Sequence, residues 1–237
     1  IGGIRCILKA GQFDILFSFN NKAASNALLA ARDKNIRIVT YRGTVGNISF
    51  LSPASWTTHL HPRVKRIVCV SRAVRDHLLA MRFLCWHISP KRAVAIYKGH
   101  DPAWYQDRPA DLAAEFNIPK DAFVVGFAGR NRTHKGIPYL IEAARYLPVN
   151  APIHFLLLGR LDTDRTLKQQ IAQSPYHDRI HLAGFRNNAP AIFAACDTFV
   201  MPSTKREGLS RAVIESMAYA TPPIVTNVGG LPELVVD

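Results

Sequence analysis

The chain has few cysteines and no long apolar segment. Four cysteines occur in 237 residues, at Cys6, Cys69, Cys85 and Cys196, and none forms a CxxC pair. This spacing argues against a zinc ribbon, a redox motif or a secreted disulfide scaffold, and it favours a reducing, cytoplasmic setting. No run of about 18 apolar residues occurs that could span a membrane. The chain begins with Ile1 rather than Met and lacks a signal-peptide pattern, so we expect a fragment of a longer protein.

Acidic residues are scarce in the first half. The chain has 30 Lys and Arg against 17 Asp and Glu, a net charge of +13. Residues 1–110 hold 17 basic and 5 acidic side chains, whereas residues 111–237 hold 13 and 12. A basic half attracts polyanions, so nucleic acid, an anionic membrane surface and a phosphorylated substrate are open as partners at this point. An ordinary basic surface is the plainer alternative.

The rest of the composition is that of a folded protein with a sizeable core, because 48% of the residues are hydrophobic and 20% are charged. Short apolar runs alternate with helical patterns. The runs predict strands at 13–19, 36–41, 66–71, 93–99, 123–129, 153–159, 179–184, 198–203 and 223–227. The helical patterns lie at 21–34, 72–83, 136–147, 164–173, 188–195 and 208–220. Ser71 suits the N-cap of the second helix, and Gly2 and Gly3 suggest a plain turn.

Strands that alternate with helices predict βαβ units and parallel sheets covered by helices. An irregular stretch at 100–121, which contains Pro102, Pro109 and Pro119, separates two such series. We therefore predict an α/β protein with two doubly wound domains. Ligands of such sheets bind beyond the carboxyl ends of the strands, so the expected site is a cleft between the domains.

Basic residues follow one predicted strand of the second half. Arg130 and Lys135 lie in the loop after the strand at 123–129, just before a predicted helix. Helix N-termini favour anions, and nearby Arg and Lys add charge-assisted bonds to phosphate. The two residues are therefore candidate phosphate ligands, and a solvated basic loop is the alternative.

Two glutamates follow the strand at 198–203. Glu207 precedes a predicted helix, and Glu215 lies two turns inside it among apolar residues. A carboxylate in such surroundings needs donors, and sugar or ribose hydroxyls are suitable ones. Gly208 would let a ligand approach the backbone closely. Taken singly, Glu215 also fits a half-exposed helix position.

The segment EGLSRAVIESMAYATPPIVTNVGGLPELV resembles the signature of the retaining family 4 glycosyltransferases. Seven residues separate Glu207 and Glu215, and the upstream GR…KG element places Arg130 and Lys135 in the matching order. The resemblance implies a GT-B fold with two doubly wound, Rossmann-like parallel-sheet domains facing a cleft, both incomplete here. It assigns residues 1–105 to an acceptor-binding domain and residues 106–237 to a nucleotide-sugar-binding domain that stops short of its C-terminus.

The resemblance also implies an activity: transfer of a sugar from a nucleotide diphosphate sugar to an acceptor, with retention and without a metal or other cofactor. Arg130, Lys135 and Glu207 would be catalytic, with the two cations on the diphosphate and the carboxylate near the donor sugar. The implied donor-binding residues are Glu215 at the ribose, Gly208, Leu209 and Ser210 at sugar or phosphate oxygens, and Gly184, Phe185 and Arg186 beside the nucleobase.

The chain departs from the family after its second strand, where many members have a His and this sequence has Arg42. Arg42 is therefore an acceptor-side candidate for an acidic group. Together with the basic first half, it leads us to expect an anionic glycan or lipid-linked acceptor, peripheral contact with the inner face of a membrane, and no nucleic acid partner. Two alternatives stay open: another GT-B enzyme acting on nucleotide sugars, such as an epimerase or phosphorylase, and a non-catalytic polyanion-binding protein.

Overall fold

A computed structural model describes residues 1–236. The chain divides into two compact units, Ile1–Lys98 and Gly99–Asp237. Each unit has its own parallel β-sheet with helices between the strands. The predicted fold class, α/β with two parallel sheets, is confirmed. The domain boundary after residue 105 stays a prediction.

The first unit is a four-stranded parallel sheet with a small added hairpin. Its sheet has the order β1-β2-β3-β6, in which every neighbouring pair is parallel. The strands are β1 (Ile15–Ser18), β2 (Arg37–Arg42), β3 (Val64–Cys69) and β6 (Ala93–Ala95), and the hairpin strands are β4 (Arg82–Phe83) and β5 (Trp86–His87). The helices are α1 (Gly2–Ala10), α2 (Asn21–Ala30), α3 (Pro53–Trp56) and α4 (Arg72–Ala80).

Side-chain caps explain where two of these helices begin. The Asn20 side chain accepts a hydrogen bond from Ala23 N at 2.8 Å and starts α2. The Ser71 hydroxyl accepts one from Val74 N at 3.3 Å, which confirms Ser71 as the N-cap of α4. Two local predictions are wrong: Gly2 and Gly3 lie inside α1 rather than in a turn, and the predicted helix 72–83 ends before the β4–β5 hairpin.

A buried histidine connects three segments of this unit. His59 is 1% exposed. Its Nε2 lies 3.0 Å from Asn21 Oδ1 at the start of α2, and its Nδ1 lies 3.0 Å from Thr40 Oγ1 in β2. A neutral imidazole satisfies both partners by donating from Nε2 and accepting at Nδ1. Burial, followed by the positive charge of Arg42, lowers the pKa of His59 to about 4.

The second unit is a five-stranded parallel sheet. Its strands are β7 (Phe123–Ala128), β8 (Ile153–Leu158), β9 (Ile180–Gly184), β10 (Thr198–Met201) and β11 (Pro223–Val225). Its helices are α5 (Leu112–Phe116), α6 (Ile137–Ala143), α7 (Arg165–Ala172), α8 (Ala189–Phe193) and α9 (Arg211–Ala218). Fully buried side chains on both sides of this sheet, such as Phe127, Leu156 and Phe199, form its core.

The strand order of this sheet reverses between β7 and β10. The order is β11-β10-β7-β8-β9, so the chain builds outward from β7 in one direction and then returns to its other side. The helices that follow β7 and β10 are therefore expected on opposite faces of the sheet, and doubly wound sheets bind ligands at such a reversal, beyond the carboxyl ends of the strands. In the sheet of the first unit, by contrast, the described strands β1, β2, β3 and β6 lie side by side in chain order, without a reversal. The reversal thus marks one place in the second unit where a ligand is expected.

The burial of His59 predicts a specific pH dependence of stability. An unfolded histidine takes up a proton below about pH 6.5, whereas folded His59 does so only near pH 4. The unfolded state therefore binds more protons between these values, and acidification through this window should cost about 3 kcal/mol at this residue. Urea unfolding of the wild type and of His59→Gln at pH 7 and pH 4.5 measures it. The advantage of the wild type should shrink at the lower pH, and parallel pH dependences would contradict the assignment.

Candidate active site

The loops after β7 and β10 meet at the point where the strand order reverses. A 3-10 helix, Thr133–Lys135, follows β7 and ends at Gly136, which has φ +73°. A Cβ atom at Gly136 would lie 1.8 Å from the carbonyl oxygen of Pro202, just after β10. Thr204 N also donates to His134 O at 2.9 Å. Only glycine combines this backbone conformation with so close an approach, so Gly136 lets the two loops touch.

The central contact of the site is an ion pair between these loops. Lys135 Nζ binds Glu207 Oε1. The Ser203 hydroxyl, which is fully buried, donates to the same carboxylate oxygen at 2.8 Å. Glu207 itself is 7% exposed, so its charge is stabilised by these partners rather than by water. The structure thus brings together two of the three predicted catalytic residues, Lys135 and Glu207.

The loop after β11 closes the site from the other side. The Thr226 hydroxyl donates to Ser203 O at 2.5 Å. Gly229 has φ +58°, and a Cβ atom there would lie 2.0 Å from Glu207 O. Three loops from neighbouring strands therefore converge on the backbone and side chain of Glu207. Such support on several sides holds the carboxylate in one position.

Further cations lie close to this ion pair. Burial lowers the pKa of His134, and so do the nearby positive charges of Lys135, Arg206 and Arg130, while Glu207 opposes them. Arg130 is exposed, and within residues 1–236 it forms no hydrogen bond or ion pair. The site therefore combines a paired lysine with an arginine whose donors are free for an anion.

The second glutamate lies on the helix that follows this loop. Glu215 is 9% exposed, and Arg211 Nε binds its Oε1 at 2.9 Å. Because α9 begins at Arg211, Glu215 lies about one turn inside the helix rather than the predicted two. Its carboxylate is near Tyr105, whose pKa is raised by burial first and by Glu215 next.

The residues between the two glutamates form the entry to α9. Gly208 and Ser210 are buried, and Leu209 is half-buried. Ser210 occupies the N-cap position, but its side chain accepts no hydrogen bond from the helix. The first N–H groups of α9 are thus not capped by that side chain, and oxygen atoms of a ligand are suitable acceptors for them.

The predicted nucleobase segment lies two strands away from β7, at the end of β9. Gly184 has φ +69°, and its carbonyl accepts a hydrogen bond from Gly159 N at 2.8 Å. Phe185 is 66% exposed, and Arg160 Cζ lies 5.9 Å from the centre of its ring. The Arg186 side chain, in contrast, lies against α5.

The partners of Arg186 lie on α5. Its Nη1 is 3.7 Å from Glu115 Oε2, and its guanidinium lies over the Phe116 ring at 4.9 Å. Its Nε also donates to Ala183 O at 3.0 Å. In this structure Arg186 therefore fastens the end of β9 to α5, whereas Phe185 presents a free ring face.

The acceptor-side candidate belongs to the first unit. Arg42 is 7% exposed, and its Nη2 donates to Gly46 O in the loop that follows β2. Burial lowers the pKa of Arg42, and its Nε has no hydrogen-bond partner among residues 1–236. Arg42 thus holds its own loop and retains one unused donor.

Sequence reasoning missed several residues of the site. Ser203 and Arg206 flank the Glu207 loop in the sequence, and their signal was their position between a strand end and a glutamate. The sequence indicated Gly229 and Arg160 more weakly, because only the folded sheet brings their loops to the same edge.

Throughout residues 1–236, no group of three or more His, Cys, Asp or Glu side chains lies together in a way that could hold a metal ion. No helix in that range is long and apolar enough to span a membrane.

Comparison with protein families identifies the class that this fold and site define. Residues 110–237 match the family described as Glycosyl transferases group 1, and residues 1–104 match Glycosyltransferase Family 4. Because the first match covers more than half of the chain, the chain belongs to the group 1 glycosyl transferases, and its resemblance to family 4 is confirmed.

Individual relatives agree with this family. The chain is 26% identical over 238 residues to the Escherichia coli UDP-Gal:alpha-D-GlcNAc-diphosphoundecaprenol alpha-1,3-galactosyltransferase, covering 94% of this chain and 60% of that enzyme. It is 31% identical over 149 residues to a glycogen synthase of Alkalilimnicola ehrlichii, covering 60% of this chain and 31% of that enzyme. The chain therefore spans about one third to three fifths of these two curated relatives.

A solved structure shows the same fold. The crystal structure of Anabaena Alr3699/HepE in complex with UDP-glucose aligns with a TM-score of 0.79 at 24% identity. The alignment covers 98% of this chain and 65% of the Anabaena chain. Together with the two parallel sheets, this similarity confirms the GT-B-like class of the fold.

The contact at Gly136 predicts a large effect of a single methyl group. Gly136→Ala should lower the free energy of unfolding by about 2 kcal/mol or more, because alanine disfavours the positive φ and its Cβ would overlap Pro202 O. Urea denaturation measures the change. Gly3→Ala is the control, since it lies in α1 with no atom within 4 Å of its Cβ position and should be neutral or slightly stabilising. Equal stability of Gly136→Ala and the wild type would show that the two loops do not meet as described.

Proposed function

We propose that this protein is a retaining glycosyltransferase that moves a sugar from a nucleotide diphosphate sugar to a glycan or lipid-linked acceptor. The observation that carries the proposal is the contact between Lys135 and the buried Glu207 where the strand order reverses, with Arg130 in the same loop as Lys135. Cations and a carboxylate held together at this edge suit a reaction that separates an anionic leaving group from a cationic sugar.

The charges of the site match those that develop in the reaction. As the bond between the sugar and the diphosphate breaks, negative charge grows on the phosphates and positive charge on the anomeric centre. Arg130 and Lys135 would bind the phosphates, and the ammonium group of Lys135 can keep Glu207 as a partner because it has three donors. Glu207 would lie near the donor sugar and oppose the developing positive charge.

The remaining donor-site residues suit the rest of a nucleotide sugar. Glu215 would accept hydrogen bonds from the ribose, and Arg211 uses only one of its oxygens in the described contacts. The backbone of Gly208, Leu209 and Ser210 would bind sugar or phosphate oxygens at the start of α9. The nucleobase would lie at the end of β9, where Phe185 offers an exposed ring, Gly184 turns the chain and Arg186 fastens the strand end. The proposal requires no metal and no cofactor besides the donor.

The first unit is the proposed acceptor side. It carries most of the net positive charge, so we propose an anionic glycan or lipid-linked acceptor. Arg42 is the proposed partner of an acidic group of that acceptor, and its unpaired Nε would become accessible only if the loop that follows β2 moves, because this atom is buried. The name of the E. coli relative describes an acceptor linked to diphosphoundecaprenol, which supports this class. We place the reaction in the cytoplasm, at the inner face of a membrane and without nucleic acid.

A binding experiment tests the donor assignment. The purified protein is heated in the presence of UDP, GDP, ADP and CMP sugars, and the shift of its melting temperature is recorded. We expect stabilisation by one nucleotide class and loss of that response in Glu215→Gln. Glu142→Gln is the matched control, because Glu142 also pairs with an arginine a few residues away in the sequence, Arg145, but lies on α6. No response to any nucleotide sugar would contradict the proposal and favour a non-catalytic, polyanion-binding role.

Substitution of the free arginine tests catalysis. Arg130→Ala should lower the rate of sugar transfer by about 10²–10³, because it removes a fixed positive charge from the leaving diphosphate. Stability should hardly change, since the Arg130 side chain makes no hydrogen bond or ion pair within the described residues. Arg132→Ala, an exposed cation of the same loop, should keep the rate within about threefold. Unchanged turnover in Arg130→Ala would remove Arg130 from the mechanism.

A further inference from the structure

The first unit presents a cluster of large apolar side chains to solvent. We call it the aromatic patch, and its members come from the loop before α3, from α3 itself and from the β4–β5 hairpin. Exposure is 71% for Leu51, 39% for Phe83, 86% for Leu84 and 48% for Trp86. The patch consists of Phe50, Leu51, Trp56, Phe83, Leu84 and Trp86.

The aromatic patch is an ordered surface. The rings of Trp56 and Trp86 meet edge to face, with centroids 4.7 Å apart, and Phe50 lies 6.5 Å from Trp86. The Trp56 indole donates to Phe50 O at 2.8 Å, which fixes the loop against α3. Phe83 pairs with Trp86 across the hairpin. The rings therefore support the hairpin and hold its tip in position.

Leu84, at the tip of this hairpin, has an unfavourable backbone conformation and an apolar side chain exposed to water. Its backbone has φ +51°, a left-handed conformation that is unfavourable for a bulky residue. Its side chain is also the most exposed member of the aromatic patch. Folding of the unit gains little from such a residue, so the cost points to a role in binding.

The sequence around the hairpin is strongly basic. Residues 63–92 contain eight Lys and Arg and a single acidic residue, Asp76. Arg75 Nη2 binds the Asp76 carboxylate at 2.7 Å, so this negative charge is already neutralised. Arg82 in β4 is exposed, whereas Arg63 and Arg92 are half-buried and donate to backbone carbonyls within the unit. A basic unit that presents exposed Trp and Leu complements the anionic headgroups and acyl boundary of a bilayer.

We propose that the aromatic patch docks on an anionic lipid bilayer, with Leu84 and Trp86 entering the headgroup region. The inference extends the membrane contact in the proposed function but does not depend on glycosyl transfer. Arg82 and the other exposed cations of this unit would attract the lipid charge, and apolar side chains would be buried at the acyl boundary. Tryptophan prefers that boundary because its ring is apolar and its N–H is polar.

Vesicle sedimentation tests this docking directly. The purified protein is mixed with phosphatidylcholine vesicles with and without phosphatidylglycerol, at low and high salt. We expect binding only to the anionic vesicles, weakened by salt. Leu84→Asn should lower the partition coefficient about tenfold, because it removes the apolar side chain while asparagine tolerates the positive φ. That variant should fold at least as well as the wild type, so a lower affinity reports docking rather than unfolding.

A matched control and a second readout identify the other outcomes. Tyr146→Asn removes an aromatic side chain that is 84% exposed in the second unit, and its partition coefficient should stay within about twofold of the wild type. Equal binding by Leu84→Asn and the wild type would overturn the proposal. So would a dimer that forms without lipid and dissociates in Leu84→Asn, which would make the aromatic patch a contact between copies. Melting shifts with nucleotide sugars in the same preparations show separately whether the donor site works.

Discussion

The buried charge of Glu207 is the constraint on which the second unit depends. A carboxylate that is removed from water is costly unless cations and hydrogen-bond donors replace its hydration. Lys135 and Ser203 provide these partners from two loops. Gly229 lets a third loop pack against the Glu207 backbone. The interactions that offset the desolvation of the Glu207 carboxylate therefore also fix its position next to Lys135, one of the cations that would bind a diphosphate.

The topology of the sheet creates the space for this arrangement. Because the chain returns to the other side of β7 after β9, the loops after β7 and β10 are neighbours although about 70 residues separate Lys135 from Glu207. A reversal of this kind is where a doubly wound sheet is expected to bind a ligand, and Gly136 allows the two loops to meet there. The first unit differs, since its notable surface is the aromatic patch of exposed rings rather than a buried charge.

Much of this structure could be predicted from local patterns, and the failures have physical causes. Ser71 was identifiable as an N-cap because capping depends on a few consecutive residues. The β4–β5 hairpin was missed because its pairing is stabilised by contacts of Trp86 with Trp56, 30 positions away in the sequence. Gly2 and Gly3 lie in α1 despite a low helix propensity, which is a weak preference. The placement of Glu215 was off by a turn because helix ends are the least certain feature of a pattern.

The sequence by itself determined the alternation of strands and helices, the concentration of positive charge in residues 1–110, and the residue types available at the strand ends. Periodicity and charge are local properties, so they can be read without the fold. Only the tertiary structure decided which of those residues meet. It paired Lys135 with Glu207, turned Arg186 toward α5 and buried Arg42 against its own loop. Those outcomes depend on strand order and on close backbone approach, which bring together residues that are distant in the sequence.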